Sequence, residues 1–325
     1  MRMTIEKKSY PLVSPFRITG YTFESLDAVW VTLQDDGHIG RGEGVGIYYL
    51  DESQDSIAAQ LEAVRSEVEQ GITRADAERL LPRGGARNAL DCALWDLEAK
   101  KAGLSIWQLL KLEPKQVTTV ATVGVGAPEE MATAARRLAD YSKLKIKLSG
   151  DGPIERLAAV RAARPDASMI VDVNQGWSFK ELKAYMPELE ALKIDMVEQP
   201  LPRGADAELE GYSAPIPLGG DESCLDLADY PAAARRYDVI NIKLDKCGGL
   251  SQGLELVRRC QADGKGLMVG NMTGTSLSMA PAYVIAQFCK FVDIDGPVFL
   301  KQDIEHGLTY GAGGNVSIPE QKLWG

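Results

Sequence analysis

The chain has 325 residues, a length that allows two domains or one large barrel with an appendage. Of these residues 45% are hydrophobic and 25% are charged, a composition typical of a folded protein and not of a disordered or fibrous one. Its 36 basic and 46 acidic side chains give a net charge of −10, which argues against nucleic-acid partners and against an anionic membrane surface. No apolar run reaches the roughly 18 residues of a membrane span, and the N-terminus lacks the apolar region of a signal peptide.

The cysteine and histidine content limits the kinds of site that the chain can build. Its five cysteines are scattered and lack CxxC spacing, which is typical of free thiols in a reducing cytoplasm. We therefore expect a cytoplasmic protein. The sequence leaves open whether it forms a homo-oligomer. The two histidines, His38 and His306, are far apart in the sequence, so the chain has few histidines from which to build a zinc site or a Ser-His-Asp triad. Any metal would be held by oxygen ligands.

The first part of the chain, residues 1–115, has the pattern of an α+β domain. The run AVWVTL at 28–33 predicts a strand, because it is rich in β-branched and apolar residues and is followed by a turn signal. Apolar residues from Leu90 to Leu97 recur at helical spacing and predict an amphipathic helix. Asn88 is the expected N-cap of this helix, and Gly103 is its expected end.

From Thr118 onward, short β-rich runs alternate with amphipathic segments, the pattern of a parallel sheet covered by helices. The predicted strands are 118–124, 143–148, 168–174, 193–199, 216–222, 239–245, 266–271 and 290–295. Eight such strands favour a closed barrel, and a doubly wound open sheet is the alternative. No helix follows the eighth strand. We expect a capping domain at 1–115, a barrel at 116–297 and a segment at 298–325 that returns to the capping domain.

Charged side chains follow six of the eight predicted strands, at the barrel end where active sites lie. Asp172, Glu198 and Asp221 are each the first acid after the apolar run of three successive strands. Carboxylates held close together repel one another unless a cation compensates their charge. Ligands that are all oxygen favour Mg²⁺, which keeps positions open for substrate. The sequence therefore predicts a Mg²⁺ site at this end of the barrel.

Lysines follow the second and sixth predicted strands. Lys145 and Lys147 are separated by one residue, so both point to the same face of the second strand. Lys246 follows the sixth strand, which lies across a closed barrel from the second. A substrate held between them by the metal would face a lysine on each side. This arrangement suits removal of a proton α to a carboxylate, with the metal stabilising the resulting enediolate.

Together these motifs resemble the muconate lactonizing enzyme subgroup of the enolase superfamily. The resemblance covers nearly the whole chain and is carried by RNALDCALWDLEAKKAG (87–103), KIK (145–147), DVN (172–174), EQP (198–200), GDES (220–223) and NIKLDK (241–246). It implies an α+β capping domain over a (β/α)7β barrel, a modified TIM barrel. Within the subgroup the chain looks most like the dipeptide epimerases, because Asp293-Ile294-Asp295 resembles the DxD that holds the substrate's α-ammonium in that group.

The resemblance also implies a role for each site residue. Asp172, Glu198 and Asp221 would bind one Mg²⁺ per subunit, and Lys147 and Lys246 would be the two acid/base residues. The substrate, a small dipeptide, would be contacted by four residues from three strands: Thr122, Lys145, Asp293 and Asp295. Three further side chains would support these groups from behind: Asn174, Glu222 and Lys243. The implied reaction is a 1,1-proton transfer at the α-carbon of the dipeptide's C-terminal residue.

The stretch from Phe16 to Ser25 bears on which dipeptide is used, and we expect it to be a loop over the active site. Epimerases specific for Ala-Glu resemble this stretch but place an arginine where Phe23 stands here. A guanidinium holds a carboxylate side chain well, and a phenylalanine cannot. Arg17 is the one basic residue of the stretch. We expect a broad enzyme that accepts apolar or aromatic second residues, and L-Ala-D/L-Glu remains the alternative.

Two other kinds of enzyme compete with this interpretation. A muconate cycloisomerase or an o-succinylbenzoate synthase of the same subgroup would share the metal and the lysines. Such enzymes need no carboxylates for an ammonium, so Asp293 and Asp295 disfavour them. A metal-free Schiff-base lyase could use Lys147, but it would leave the three acids without a role.

Overall fold

The computed structural model describes residues 1–18 and 21–325. It begins with an antiparallel sheet in the order β1-β2-β3. These strands are β1 (Arg2–Ile18), β2 (Tyr21–Asp35) and β3 (His38–Val45). The predicted strand at 28–33 lies within β2.

The stretch expected to be a loop, Phe16 to Ser25, is β-structure where the structure describes it, with a shift in register between the pairs Pro11–Ser25 and Phe16–Phe23. In this hairpin Phe16 stands opposite Phe23, and Arg17 stands opposite Thr22. Residues 19 and 20 of the stretch lie outside the described residues. The prediction of a loop was wrong because pairing between β1 and β2 resumes after the register shift and continues up to the pair Ile18 and Tyr21.

Five helices complete the N-terminal part: α1 (Gln54–Ala63), α2 (Arg65–Glu69), α3 (Arg74–Leu80), α4 (Gly85–Ala102) and α5 (Ile106–Leu110). The amphipathic helix predicted around 90–97 is α4, and it ends at Gly103 as expected. Asn88 is not its N-cap, since the helix begins at Gly85. The carboxylate of Glu52 accepts the Gly85 N–H at 3.0 Å and so replaces a capping side chain.

Helix α4 lies directly on the sheet because β3 presents alternate glycines to it. A Cβ at Gly40 would stand 2.2 Å from the Ala93 carbonyl oxygen, and one at Gly42 would stand 2.1 Å from that of Ala89. Such approaches leave no room for any side chain, so glycine is required on this face of β3. The close packing fixes α4, whose buried face then meets the second domain.

The second domain contains a parallel sheet of eight strands, one in each predicted run. They are β5 (Ala121–Val123), β6 (Lys143–Lys147), β7 (Ser168–Asp172), β8 (Met196–Glu198), β9 (Leu218–Gly220), β10 (Val239–Ile242), β11 (Gly266–Val269) and β12 (Phe291–Val292). Strand pairing runs unbroken from β5 to β12. The amide of Val120, just before β5, donates to the carbonyl of Val292 in β12 at 2.9 Å. The two edges of the sheet therefore meet, and the sheet closes into the predicted barrel.

Helices cover the outside of the barrel: α6 (Pro128–Arg137), α7 (Pro153–Ala163), α8 (Phe179–Ala191), α9 (Tyr230–Arg236), α10 (Leu244–Cys247), α11 (Leu250–Ala262) and α12 (Ser276–Ala286). Pro153 opens α7 as expected. The connection from β8 to β9 holds only a short 3₁₀ turn, Ala207–Leu209. After β12 the chain makes another 3₁₀ turn, Gly296–Phe299, and no α-helix, in agreement with the sequence analysis.

Apolar side chains close the barrel at the ends where its strands begin. They form a separate buried cluster of six: Val120, Ile170, Met196, Val239, Met268 and Phe291. Because successive side chains of a strand point to opposite faces, the residues two positions further along also face the barrel axis. These next residues include Thr122, Asp172 and Glu198. The barrel is therefore apolar at one end and strongly charged at the other.

The C-terminal segment contacts both parts of the molecule. Its strand β13 (Asn315–Val316) pairs with β4 (Val117–Thr118). Its last residues return to α4, where Trp324 Nε1 donates to the Cys92 carbonyl at 3.0 Å and the Gly325 amide donates to Asp96 at 2.7 Å. Within the described residues, no helix combines the length and apolar character that crossing a membrane requires.

Buried carboxylates join the first domain to the barrel. Asp91 of α4 accepts the backbone N–H of Ser251 at 2.9 Å, and Glu43 of β3 accepts that of Thr275 at 2.8 Å. From the barrel side, Oδ1 of Asp245 accepts the amide of Val45 at 2.9 Å and Asn88 Nδ2 at 2.7 Å. Burial raises the pKa of Asp91 and of Glu43 to about 6 in each case.

Asp245 is the most strongly affected of these carboxyl groups. Burial, with the nearby charges of Glu52 and Glu43, raises the pKa of Asp245 to about 7. The unfolded chain would have a value of about 3.9, so the folded protein binds the extra proton between these two pH values. The stability that this proton uptake contributes is present below the lower value and is lost as the pH rises through about 7.

We predict that Asp245→Asn makes the protein more stable at pH 8, by on the order of 1–3 kcal/mol, and leaves it unchanged near pH 4. The asparagine oxygen can accept the hydrogen bonds of both Val45 and Asn88, and the buried charge is removed. Thermal unfolding midpoints of both proteins from pH 4 to pH 8 test this. Asp151→Asn, at an exposed position, is the control and should show no pH-dependent difference. A variant that loses stability most at pH 8 would contradict the prediction.

Candidate active site

A cavity of about 420 Å³ opens at the charged end of the barrel, beneath the N-terminal domain. Polar residues from the barrel form its floor: Thr122, Lys145, Lys147, Asn174, Lys243, Asn271, Asp293 and Asp295. Apolar and aromatic residues from both domains form its walls: Leu12, Phe16, Ile18, Phe23, Leu26, Val45, Tyr48, Met272 and Phe299. Polar and acidic residues of the N-terminal domain also line it: Ser25, Asp27, Glu52, Ser53, Gln54 and Asp55. The cavity therefore combines a charged floor with walls that are partly apolar and partly polar.

The three predicted metal ligands stand side by side at strand ends. Asp172 ends β7, Glu198 ends β8, and Asp221 follows β9. Asp172 and Glu198 are directly paired across the two strands. All three are buried, with at most 1% of any of them exposed. The structure thus places the three acids that were predicted as ligands at the ends of neighbouring strands.

Lysine ammonium groups compensate two of these acids. Lys145 Nζ lies 3.1 Å from Asp172, 2.8 Å from Glu198 and 2.8 Å from Asp293. Lys147 Nζ lies 2.6 Å from Asp172. Burial opposes ionisation of Asp172, but Lys147 and Lys145 outweigh it and lower the pKa of that carboxyl to about 2. Burial and the charge of Asp172 raise the pKa of Glu198 to about 7.

The donor chemistry of this site fits a hard divalent cation. Within the described residues, no three His, Cys, Asp or Glu side chains are gathered as a metal site. The Lys145 ammonium instead stands between Asp172 and Glu198 and supplies positive charge there. Oε2 of Glu198 is buried and makes no aligned hydrogen bond to any described group, although Lys145 is 2.8 Å away. Three buried carboxylates with an unsatisfied oxygen match the oxygen-only donors that Mg²⁺ prefers.

The second predicted acid/base residue, Lys246, does not face the cavity. Its side chain has no exposed surface, and its ammonium contacts four protein oxygens. These are Oδ1 and the carbonyl of Asp221, both at 2.6 Å, and the carbonyls of Cys224 and Asn241, both at 3.0 Å. The geometry therefore does not support the assignment of Lys246 as a group that meets substrate.

Lys243 occupies the position that was expected of Lys246. It lines the cavity, and its Nζ lies 2.7 Å from Oδ2 of Asp221. Lys243 still has extended backbone angles after β10, so its side chain follows Asn241 toward the barrel axis. At Leu244 the chain turns into α10, and this turn carries Lys246 away from the axis. In the ring of eight strands β10 lies four strands from β6, so Lys243 stands opposite Lys147.

The acids of the eighth strand lie together at another side of the cavity. Asp293 pairs with Lys145, and Asn271 donates to its Oδ1 at 3.3 Å. Asp295 accepts the backbone N–H of Thr122 at 3.0 Å. Burial and the charge of Asp293 raise the pKa of Asp295 well above its usual value. Because the charge of Asp293 opposes ionisation of Asp295, a cation placed beside this pair would be stabilised and would relieve the repulsion.

Asn174 and Glu222 are connected to the groups of the floor by hydrogen bonds. Oδ1 of Asn174 accepts a hydrogen bond from Lys147 at 3.1 Å, and its Nδ2 donates to Glu222 at 3.3 Å. Burial, with the charge of Asp221, raises the pKa of Glu222 to about 8. Asn174 thus gives the Lys147 ammonium a second oxygen acceptor besides Asp172.

The hairpin of β1 and β2 supplies an apolar wall of the cavity. Phe16 and Ile18 alternate along β1 and line the cavity, whereas Arg17 between them is exposed and does not. Phe23 lines the cavity from β2, with its ring 5.5 Å from that of Tyr48. The cations that line the described part of the cavity are the three lysines of the floor, so no guanidinium faces it.

The sequence analysis missed several contributors to the site. Asn241 donates to Oε1 of Glu198 at 2.7 Å and so orients a predicted ligand. Its signal was available, because it lies two residues before Lys243 in the same extended run. Phe299 packs on Phe16 with ring centroids 4.9 Å apart. No sequence pattern links these two rings, since they come from opposite ends of the chain.

Comparisons with known proteins agree with this architecture. Residues 1–111 match the family described as "Mandelate racemase / muconate lactonizing enzyme, N-terminal domain", and residues 129–322 match "Enolase C-terminal domain-like". A relative from Escherichia coli, named L-Ala-D/L-Glu epimerase, is 39% identical over 310 residues, covering 94% of this chain and 97% of the relative.

Two solved structures are also similar. An enolase family member from Agrobacterium tumefaciens with homology to dipeptide epimerases, bound to sodium and L-Ala-L-Glu, superposes with a TM-score of 0.96 at 38% identity, covering 99% of both chains. A dipeptide epimerase from Enterococcus faecalis, in complex with Mg and L-Leu-L-Tyr, gives a TM-score of 0.91 at 28% identity, covering 98% of this chain and 97% of that one. The chain therefore belongs to the mandelate racemase and muconate lactonizing enzyme group of the enolase superfamily.

Proposed function

We propose that this protein is a Mg²⁺-dependent dipeptide epimerase, an isomerase that inverts the α-carbon of the C-terminal residue of a dipeptide. The observation that carries the proposal is that Lys147 and Lys243 face one cavity from opposite strands of the barrel. The relatives named above support the choice of reaction, since they are epimerases or bind dipeptides.

The metal would be held by Asp172, Glu198 and Asp221. When bound, Mg²⁺ supplies positive charge that stabilises the negative charge developing on the substrate carboxylate as the α-proton leaves. The structures of the relatives contain Mg or sodium, and the buried carboxylates of this chain offer the same kind of donor. Lys145, which here contacts two of the three acids, would then be released to bind the substrate carboxylate.

We predict that chelation with EDTA abolishes epimerisation and that Mg²⁺ restores it. The reason is that only lysine charges would remain to stabilise the enediolate. Activity toward a dipeptide, followed by chiral chromatography before and after addition of Mg²⁺, tests the prediction. Asp172→Asn should weaken Mg²⁺ binding in calorimetry, whereas Asp195→Asn, outside the cavity, should not. Full activity in the chelated protein would rule out the metal requirement.

Two lysines are needed because inversion takes the proton from one face of the α-carbon and returns one to the other. The C–H electron pair moves into the carboxylate as the first lysine, which begins neutral, accepts the proton. The opposite lysine, which begins protonated, donates its proton to the α-carbon from the other face. Exchange with solvent then resets both lysines. Asn174 holds Lys147, and Asp221 holds Lys243, in position for these transfers.

We predict that Lys147→Ala and Lys243→Ala each reduce epimerisation by at least about 10³-fold, within the usual effect of an acid/base residue. Each variant should still exchange the α-proton of the one epimer that its remaining lysine reaches. Deuterium uptake in D₂O, measured separately for the LL and LD dipeptides by mass spectrometry, checks this. Lys180→Ala, on the outer helix α8, is the matched control. Normal epimerisation by Lys243→Ala would remove Lys243 from the mechanism.

Asp293 and Asp295 would receive the substrate's free α-ammonium. Two adjacent buried carboxyls gain from a cation, and the ammonium of a dipeptide is the part of the substrate that supplies one. This feature, with the comparisons, disfavours a muconate cycloisomerase or an o-succinylbenzoate synthase, whose substrates have no ammonium. A Schiff-base lyase is disfavoured as well, since it gives no role to the three buried acids beside Lys147. Thr122 would fix the orientation of Asp295 through its backbone N–H.

The walls of the cavity bear on the side chain that is accepted. Phe16, Phe23 and Tyr48 give an apolar enclosure, and Arg17 is directed away from it. These contacts support the expectation of a broad enzyme for apolar or aromatic second residues. L-Ala-D/L-Glu remains the alternative, because relatives that are 38–39% identical are named for, or bind, Ala-Glu.

We predict that kcat/KM for L-Ala-L-Leu and L-Ala-L-Phe equals or exceeds that for L-Ala-L-Glu. Phe23→Arg should raise the value for L-Ala-L-Glu relative to L-Ala-L-Leu by roughly 10-fold, the effect of one charge-assisted hydrogen bond. Arg17→Ala should leave this ratio unchanged, because its side chain lies outside the cavity. A wild-type preference for the glutamyl substrate above about 100-fold, or about 2.7 kcal/mol, would show that another group reads the carboxylate.

Two features outside the site complete the proposal. We place the domain boundaries near residues 115 and 297, between α5 and β4 and within the 3₁₀ turn that follows β12. All five cysteines are free, which suits a cytoplasmic protein.

A further inference from the structure

The ammonium group of the buried Lys246 is bonded only to other groups of the protein. Its ammonium has three protons and four oxygen neighbours, which belong to Asp221, Cys224 and Asn241. The side chain has no exposed surface and lines no part of the cavity. A lysine in this setting cannot reach a substrate, so its charge must act on the groups that surround it.

The two oxygens of Asp221 are divided between two lysines. Oδ1 contacts Lys246, beneath the floor, and Oδ2 contacts Lys243, which lines the cavity. The contact with Lys246 therefore selects one orientation of the carboxylate, in which Oδ2 is directed to the substrate side. Lys246 also binds the carbonyl oxygens of Asp221 and Cys224, so it holds both ends of the turn that carries the carboxylate.

Gln199 holds the same turn from the opposite side. Its Oε1 accepts the backbone N–H groups of Asp221 at 3.0 Å and of Ser223 at 3.1 Å. Its Nε2 donates to the Tyr237 hydroxyl at 3.0 Å, which anchors the amide in the core. The turn after β9 is thus fixed by two fully buried side chains, and one of them carries a charge.

We propose that Lys246 is a positioning residue that holds the Asp221 carboxylate in its metal-binding orientation and takes no part in proton transfer. The proposal rests on the proposed function, since it assumes that Asp221 binds Mg²⁺ in an epimerase. The proposal gives the two lysines that follow the sixth strand different roles. Lys243 meets substrate, and Lys246 prepares the ligand that lies between them.

The test uses Lys246→Met, which keeps the length of the side chain and removes the ammonium. Calorimetric titration of the metal-free protein with Mg²⁺ should show binding that is about 10–100-fold weaker, the usual effect of losing a group that orients a metal ligand. At saturating Mg²⁺ the variant should exchange the α-protons of both epimers in the wild-type ratio. Lys243→Met is the matched control: its Mg²⁺ binding should be no weaker than wild type, and exchange of one epimer should be lost.

Three results would overturn the positioning role: unchanged Mg²⁺ affinity, tighter Mg²⁺ binding, or loss of α-proton exchange for one epimer only. Tighter binding would mean that Lys246 acts as a repelling charge, and one-sided loss would make it an acid/base residue. If Lys246→Met does not fold, Lys246→Gln replaces it, since glutamine keeps two N–H donors without the charge. The same Mg²⁺ titration and α-proton exchange are then measured, with the same expected and contradicting results. A wild-type protein that binds no Mg²⁺ would instead remove the proposed function, and this inference with it.

Discussion

Buried negative charge at one end of the barrel is the constraint on which the rest of the active site depends. Asp172, Glu198 and Asp221 stand on three neighbouring strands, and Asp293 and Asp295 stand on the eighth. Carboxylates that lie this close together and are buried away from water cannot all ionise without positive charge beside them. The pKa of Asp172 is lowered to about 2 and that of Glu198 is raised to about 7, so one acid of this neighbouring pair ionises at the expense of the other.

The lysines resolve the conflict in different ways. Lys145 lies among three acids, and Lys147 and Lys243 each pair with one acid while facing the cavity. Lys246 compensates Asp221 from below and has no access to the cavity. Positive charge is therefore divided between three lysines that line the cavity and one that is enclosed by protein groups. In the proposed mechanism the three cavity lysines would meet substrate, and Lys246 would keep the orientation of Asp221.

The N-terminal domain contributes the other half of the cavity, and its attachment relies on polar groups. Glu43 and Asp91 reach from it to backbone N–H groups at the starts of two barrel helices, where the helix dipole favours negative charge. Asp245, two residues after Lys243, accepts the amide of Val45 in the opposite direction. Because Val45 lines the cavity, this contact joins the apolar wall to the strand that carries Lys243.

The sequence by itself determined which residues of the barrel strands share a face, because that follows from the two-residue period of an extended chain. This period put Lys145 and Lys147 on one face of the second strand, and both side chains line the cavity. Tertiary structure decided where the period stops. At the sixth strand it holds through Lys243 and ends at Leu244, where a short helix begins and turns Lys246 beneath the floor. Tertiary structure also decided that Phe16 meets Phe299 and that Arg17 is directed outward, since both depend on the pairing of β1 and β2 between Phe16 and Phe23. Contacts between residues so distant along the chain leave no periodic signal in the sequence, and only the folded chain brings them together.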